Sequence, residues 1–141
     1  MSRVINPESA GKERTYLTRA TALAVRQLAR QSQVTAEARD LAAFIALSLL
    51  QIAAGIEDTV AAWEKRDYWV KADRFRMEWA WSEQLGSKMK QAVLAEDWPQ
   101  VASLSAQIAE RLGHIKIGEH HRLGSPWNGA YHQLKKRALK R

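Results

Sequence analysis

The uncharged stretch from Leu41 to Ile56 constrains the fold more than any other feature of the chain. It follows residues 35–40, Thr-Ala-Glu-Ala-Arg-Asp, which open a helix, and large apolar side chains then fall on nearly every side of that helix: Leu41, Phe44, Ile45, Leu47, Leu49, Leu50 and Ile52. Such a helix must be covered on most sides, which predicts the central helix of a bundle or an oligomer interface. The stretch contains the polar Ser48 and Gln51 and is shorter than the roughly 18–20 residues that cross a bilayer. We therefore expect a buried helix and no membrane contact.

Helix start and stop signals predict four further helices and no strand. Asn6-Pro7 opens the first, which ends near residues 31–33; the second runs from Thr35 to about residues 65–67, and the third from about Val70 to Ala95. The fourth starts at the Asp97 cap and ends at Gly113, a natural left-handed stop, and Ser125-Pro126 opens the last. At 141 residues the chain has the usual size of one domain. The sequence thus predicts a single all-α domain over residues 1–141, a bundle of about five helices.

The formal net charge of +7 is concentrated at the two ends of the chain. Residues 1–33 carry six Lys or Arg and two acidic residues, residues 34–112 carry nine and twelve, and residues 113–141 carry seven and one. The whole positive excess therefore belongs to the first helix and to the basic C-terminal segment 113–141. This layout favours a polyanionic partner, DNA or RNA in particular, whose phosphates these cations would neutralise.

The residues expected to contact nucleic acid lie on the first helix and in the C-terminal segment. On the first helix, Lys12, Arg19, Arg26 and Arg30 fall within about 40° of one another, as a basic stripe flanked by Tyr16 and Leu23. The C-terminal candidates are Arg122, Lys135, Lys136, Arg137 and Lys140. Aromatic stacking on unpaired bases is geometrically compatible with Tyr16, and with Trp127 and Tyr131. The alternative is that the stripe is a solvated face and that the terminal lysines complement the dipole of the last helix.

An aromatic cluster over residues 62–81 suggests a second function class. It holds six of the chain's eleven aromatic residues: Trp63, Tyr68, Trp69, Phe75, Trp79 and Trp81. Trp79 and Trp81 differ by about 200° around a helix, so one core cannot easily bury both, and we expect Trp69, Arg74 and Trp81 to form a protein interface. The protein would then be a structural or adaptor subunit, or a homo-oligomer. The alternative is that these rings simply pack the corner between the second and third helices.

No catalytic, metal or cofactor motif stands out. The chain has no cysteine, which excludes disulfides, zinc fingers of the Cys type and a thiolate nucleophile, and favours a reducing, cytoplasmic location. His114, His120 and His121 lie in a glycine-containing segment without the spacing of a metal site, and no glycine loop follows a strand to cradle phosphate. A polar N-terminus argues against an export signal. We expect a non-enzymatic protein without cofactor or small-molecule substrate, acting as an accessory subunit of a nucleoprotein complex.

Overall fold

The structure, a computed structural model, describes residues 7–139, and side chains from residue 9 onward. Five helices are packed together there: α1 (Pro7–Ala29), α2 (Ala36–Lys65), α3 (Trp69–Leu94), α4 (Trp98–Arg111) and α5 (Ala130–Leu139). No strand occurs within this range. The predicted all-α bundle of about five helices is therefore confirmed. The Asn6 cap and Lys140 lie outside the described residues.

Helix α2 is the centre of the bundle. It packs against α1, α3 and α5, while α4 packs against α3 and α1. Leu41, Ile45 and Leu49 are completely buried, as the uncharged stretch predicts. By length and composition alone α2 could also cross a membrane, but half of its most apolar window is already buried inside the bundle. Burial against three neighbouring helices accounts for its apolar character.

A glycine lets α2 and α3 approach each other closely. Gly86 is buried in α3, and a Cβ atom added there would lie 3.0 Å from the Cβ of Leu49 and 3.2 Å from the Cγ of Leu50. Ordinary van der Waals contact between carbon atoms requires about 3.5–4.0 Å. The backbone of α3 at Gly86 therefore lies against the side chains of α2, where no larger residue fits without movement.

Helices α2 and α3 both end in a Schellman motif with a non-glycine residue in the left-handed conformation. Asp67 has φ 64° and its N–H donates to the carbonyl of Glu64, while the N–H of Tyr68 donates to the carbonyl of Trp63. Glu96, with φ 52°, occupies the same position after α3. These motifs end each helix without the proline or glycine that sequence signals rely on.

The end of α4 differs from the prediction. Asp97 caps the helix as expected, accepting a hydrogen bond from the N–H of Gln100 at 3.3 Å. At the other end, Gly113 does not adopt the left-handed conformation: among the described residues the glycines with positive φ are Gly124 and Gly129. The helix ends at Arg111, and the carbonyl of its C-cap residue Leu112 accepts hydrogen bonds from the N–H of Ile115 and from Arg26.

The start of α5 was also predicted wrongly. The helix begins at Ala130 and not at Ser125-Pro126, because residues 126–129 form turns that end at Gly129, with φ 82°. A residue of α2 supplies the cap: the carboxylate of Asp40 accepts hydrogen bonds from the N–H of Gly129 at 3.1 Å and of Tyr131 at 3.0 Å. The N-terminus of α5 is thus held by a tertiary contact with the central helix.

Residues 112–129 connect α4 to α5 and are called the strap here. Three of its apolar residues, Ile115, Ile117 and Leu123, pack against the core, and Trp127 is only 5% exposed. The strap begins beside Arg26 of α1 and ends beside Leu17, since Leu17 shares a groove with Pro126 and Asn128. It therefore runs along α1, in the direction opposite to the helix, before α5 packs onto α2.

Candidate nucleic-acid interface

One residue of the basic stripe predicted on α1, Arg26, is engaged by the strap. Arg19, Ala22, Leu23 and Arg26 follow one another at steps of three or four and so share one face of α1. Ala22 and Leu23 on this face are buried. The guanidinium of Arg26 donates to the carbonyl of Ile115 at 2.5 Å and to that of Leu112 at 3.4 Å. Arg26 therefore fastens the strap through one guanidinium nitrogen, Nη2, whereas Arg19 remains half exposed.

The N-terminal half of α1 forms a shallow basic groove. Its lining includes the two predicted residues Lys12 and Arg19, together with Arg14 and Tyr16. The guanidinium of Arg14 lies 5.0 Å from the centre of the Phe75 ring, which ties this part of α1 to α3. Arg14 was not predicted, because it lies outside the angular stripe. Tyr16 is 44% exposed, an unusually open position for an aromatic side chain.

Helix α5 places its cations beside α1. Arg137 and Leu134 line a groove of about 500 Å³ whose floor is α2 and whose opposite wall includes Glu13 of α1. Lys135, Lys136 and Arg137 are exposed, and the ammonium group of Lys135 lies 5.1 Å from the centre of the Tyr131 ring. The first and last helices therefore both pack on α2 and share this groove, in which Arg137 of α5 and Glu13 of α1 are lining residues.

The strap adds two exposed cations to those of the first and last helices. Lys116 and Arg122 are exposed on it, and Glu119 is the one acidic residue of the strap. Lys116 was not among the predicted residues, although the excess charge of segment 113–141 included it. Arg30 is exposed just beyond the end of α1. We call the exposed cations on these three elements the basic surface, namely Lys12, Arg19, Arg30, Lys116, Arg122, Lys135, Lys136 and Arg137.

Lys12 aside, the ion pairs with carboxylates within residues 9–139 involve two cations, Arg39 and Arg76, neither of which belongs to the basic surface. Within residues 9–139, no ion pair with a carboxylate involves Arg19, Arg30, Lys116, Arg122, Lys135, Lys136 or Arg137. By contrast, Arg39 pairs with Glu96 at 3.3 Å, between α2 and the end of α3. The charges of these seven side chains are therefore not neutralised by direct ion pairs within the described residues.

Arg76 of α3 lies among three carboxylates. Its guanidinium is within 3.5 Å of Glu57, Glu64 and Asp73. Desolvation lowers the pKa of Arg76, but these carboxylates raise it by more, so the net pKa lies above its ordinary value. The positive charge of Arg76 is thus balanced by neighbouring carboxylates.

The predicted protein-interface residues are not equally accessible. Trp69 is 55% exposed and Arg74 is also exposed. Trp81 is half buried: its ring stacks on that of Trp79, with 5.9 Å between centres, and the guanidinium of Arg111 lies 5.9 Å from its centre. The two rings meet although their positions differ by about 200° around the helix, and both remain half buried against the core.

The histidines of the strap do not assemble a metal site. His114 and His120 are exposed, while His121 is half buried and its Nδ1 accepts a hydrogen bond from the N–H of Leu123 at 3.2 Å. Within the part of the chain that the structure describes, no group of three His, Asp or Glu side chains is placed to hold a metal ion. His121 instead contributes to a local turn of the strap.

Comparison with known proteins gives no relative for this chain. No protein-family model, no curated protein and no solved structure matches it.

Proposed function

We propose that the protein binds nucleic acid, without catalysis, through the basic surface of α1, the strap and α5. The supporting observation is that these three elements are neighbours and that their exposed cations, Lys12 aside, have no carboxylate partner among the described residues. Uncompensated Lys and Arg side chains on one side of a small domain are typical of proteins that neutralise backbone phosphates. An accessory role in a nucleoprotein complex follows from this mode of binding.

The cations have different roles in this proposal. Lys136 and Arg137 of α5, Arg122 of the strap and Arg19 of α1 contact phosphates. Arg26 has a positioning role, because it holds the strap to α1 through two carbonyls. Each phosphate neutralised releases counterions, so binding weakens as salt rises, with a slope of about −0.7 per phosphate contact on a single strand.

Removing cations in matched pairs tests this proposal. In Lys136→Ala/Arg137→Ala, two side chains of the basic surface are lost; in Lys65→Ala/Lys88→Ala, two exposed cations of α2 and α3 are lost. Fluorescence anisotropy of a labelled single-stranded oligonucleotide is measured over a series of salt concentrations. The first variant is expected to flatten the log–log salt slope by about 1.4 units, and the second to leave it unchanged. Equal effects of the two variants, or no binding by the parent protein, would contradict the proposal.

A second candidate function is assembly through the outer face of α3. It rests on three exposed apolar side chains near the start of this helix, Trp69, Val70 and Met77, the last 77% exposed. Val70, Arg74 and Met77 follow at steps of four and three and so form one row. If this face is an interface, Met77→Ser should shift the sedimentation coefficient towards that of a monomer while helicity is kept. A parent protein that is monomeric at high concentration would rule this function out.

A further inference from the structure

The ring of Tyr16 differs from the other aromatic rings near cations. Five rings carry a stacked cation: Trp63, Phe75, Trp81, Trp98 and Tyr131. Tyr16 is flanked in the basic groove by Lys12, Arg14 and Arg19, yet within the described residues it has no stacked cation, ring contact or hydrogen bond. Its ring is therefore open to a ligand, and the cations around it outnumber the nearby acid Glu13, whose carboxylate accepts a hydrogen bond from Gln51.

The position of Tyr16 on α1 suits a nucleotide. At about 1.5 Å per residue, the Cα atoms of Lys12 and Arg19 lie about 6 Å and 4.5 Å from that of Tyr16 along the helix axis, on opposite sides of it. The groove thus has an aromatic ring between cations that can contact phosphates on either side. Stacking on an exposed ring requires a base that is not already stacked in a duplex, so this arrangement suits an unpaired base.

The other exposed aromatic residues have a different setting. Tyr68 is 50% exposed and Trp69 55%. They follow Asp67 and precede Asp73, in the part of the chain whose acidic residues outnumber its cations. Cations there are already engaged, Arg76 by three carboxylates and Lys71 over the ring of Trp63, so an exposed ring alone does not mark the site. The open ring and a local excess of cations over acids, Lys12, Arg14 and Arg19 against Glu13, occur together at Tyr16.

We infer that the nucleic acid is single-stranded, and that one of its bases stacks on Tyr16 while the adjoining phosphates contact the cations of the groove. This inference rests on the proposed function, because it assigns the class of nucleic acid to the same basic surface. Tyr16 supplies the part of the affinity that depends on bases, and the cations supply the part that depends on salt.

The experiment compares two ligands with the same charged group. One is a labelled single-stranded oligonucleotide of mixed sequence; the other is long-chain polyphosphate, which has phosphates and no bases and is used as a competitor. Tyr16→Ala is expected to weaken oligonucleotide binding about tenfold and to change the polyphosphate affinity less than twofold. Tyr16→Phe, which keeps the ring, should bind like the parent protein. Tyr68→Ala is the matched control, an equally exposed tyrosine elsewhere, and should have no effect.

The outcomes separate this inference from the proposed function. Unchanged oligonucleotide binding by Tyr16→Ala, alongside the expected effect of the α5 charge variant, would overturn the stacking role and leave the basic surface intact. Tighter binding of a duplex than of the single strand would overturn the single-strand assignment. A parent protein that binds neither the oligonucleotide nor polyphosphate would overturn both proposals. Circular dichroism of each variant checks that α1 is intact.

Discussion

The close approach of α2 and α3 at Gly86 is tested by adding a single methyl group. At a solvent-exposed position within a helix, Gly→Ala raises the free energy of unfolding by about 1 kcal/mol, because alanine loses less backbone entropy on folding. At Gly86, however, the new Cβ would meet Leu49 at 3.0 Å and Leu50 at 3.2 Å. Overpacking of a core costs about 1–3 kcal/mol, so Gly86→Ala should lower the free energy of unfolding by about 1 kcal/mol net.

The control for this variant is Gly55→Ala in α2. A Cβ added at Gly55 meets nothing within 4 Å, so the helix-propensity gain of about 1 kcal/mol should appear undiminished. The two alanine variants should therefore differ by about 2 kcal/mol. With a urea m-value of about 2 kcal/mol/M, their unfolding midpoints should be about 1 M apart.

The assay is urea unfolding followed by circular dichroism. The account predicts the order of midpoints Gly55→Ala, parent protein, Gly86→Ala, from highest to lowest, with similar m-values. If Gly86→Ala were stabilised as much as Gly55→Ala, the helices would not approach as described and the placement of α3 against the central helix would be wrong.

Two further predictions concern the strap and α5. Asp40→Asn weakens the two hydrogen bonds that the carboxylate accepts from the backbone N–H groups of Gly129 and Tyr131. The substitution should lower the free energy of unfolding by about 1–2 kcal/mol and increase the rate of amide exchange in α5 before other helices. A uniform increase of exchange along the chain would contradict this cap. Arg26→Ala removes the donor that holds two strap carbonyls, so cleavage of the strap by a protease at low concentration should accelerate about tenfold or more, given about 1.5–3 kcal/mol for a charged hydrogen bond. Unchanged strap cleavage, measured by mass spectrometry, would show that Arg26 does not fasten it.

The helix starts that depend on local residues were predictable from the sequence. Thr35 caps α2 by accepting from the N–H of Ala38 at 3.1 Å, and Asp97 caps α4 in the same way. The start of α5 was not predictable, because its cap, Asp40, precedes Gly129 by 89 positions in the chain. The local cap-and-proline signal at Ser125-Pro126 therefore did not determine where α5 begins, because the tertiary contact with Asp40 did. Likewise, Asp67 and Glu96 adopt the left-handed conformation at helix ends, where the sequence has no glycine to indicate it.

The sequence predicted which segments of the candidate site carry the positive charge, but not which segments pack beside them. The uneven distribution of Lys and Arg already pointed to the first and last helices. What the sequence could not indicate is the path of the strap, which engages Arg26 and adds Lys116 to the basic surface. Helical angles place residues on a face of α1, but they do not tell which segment covers that face.

The most direct test of the basic surface is lysine reactivity with and without nucleic acid. The protein is treated briefly with an amine-acylating reagent, alone and with a saturating single-stranded oligonucleotide, and modification at each lysine is quantified by mass spectrometry. The account predicts that Lys116, Lys135 and Lys136 become protected while the exposed Lys65 and Lys88 react as before. Protection of Lys65 and Lys88 with full reactivity at the other three would place the nucleic acid elsewhere and contradict the account.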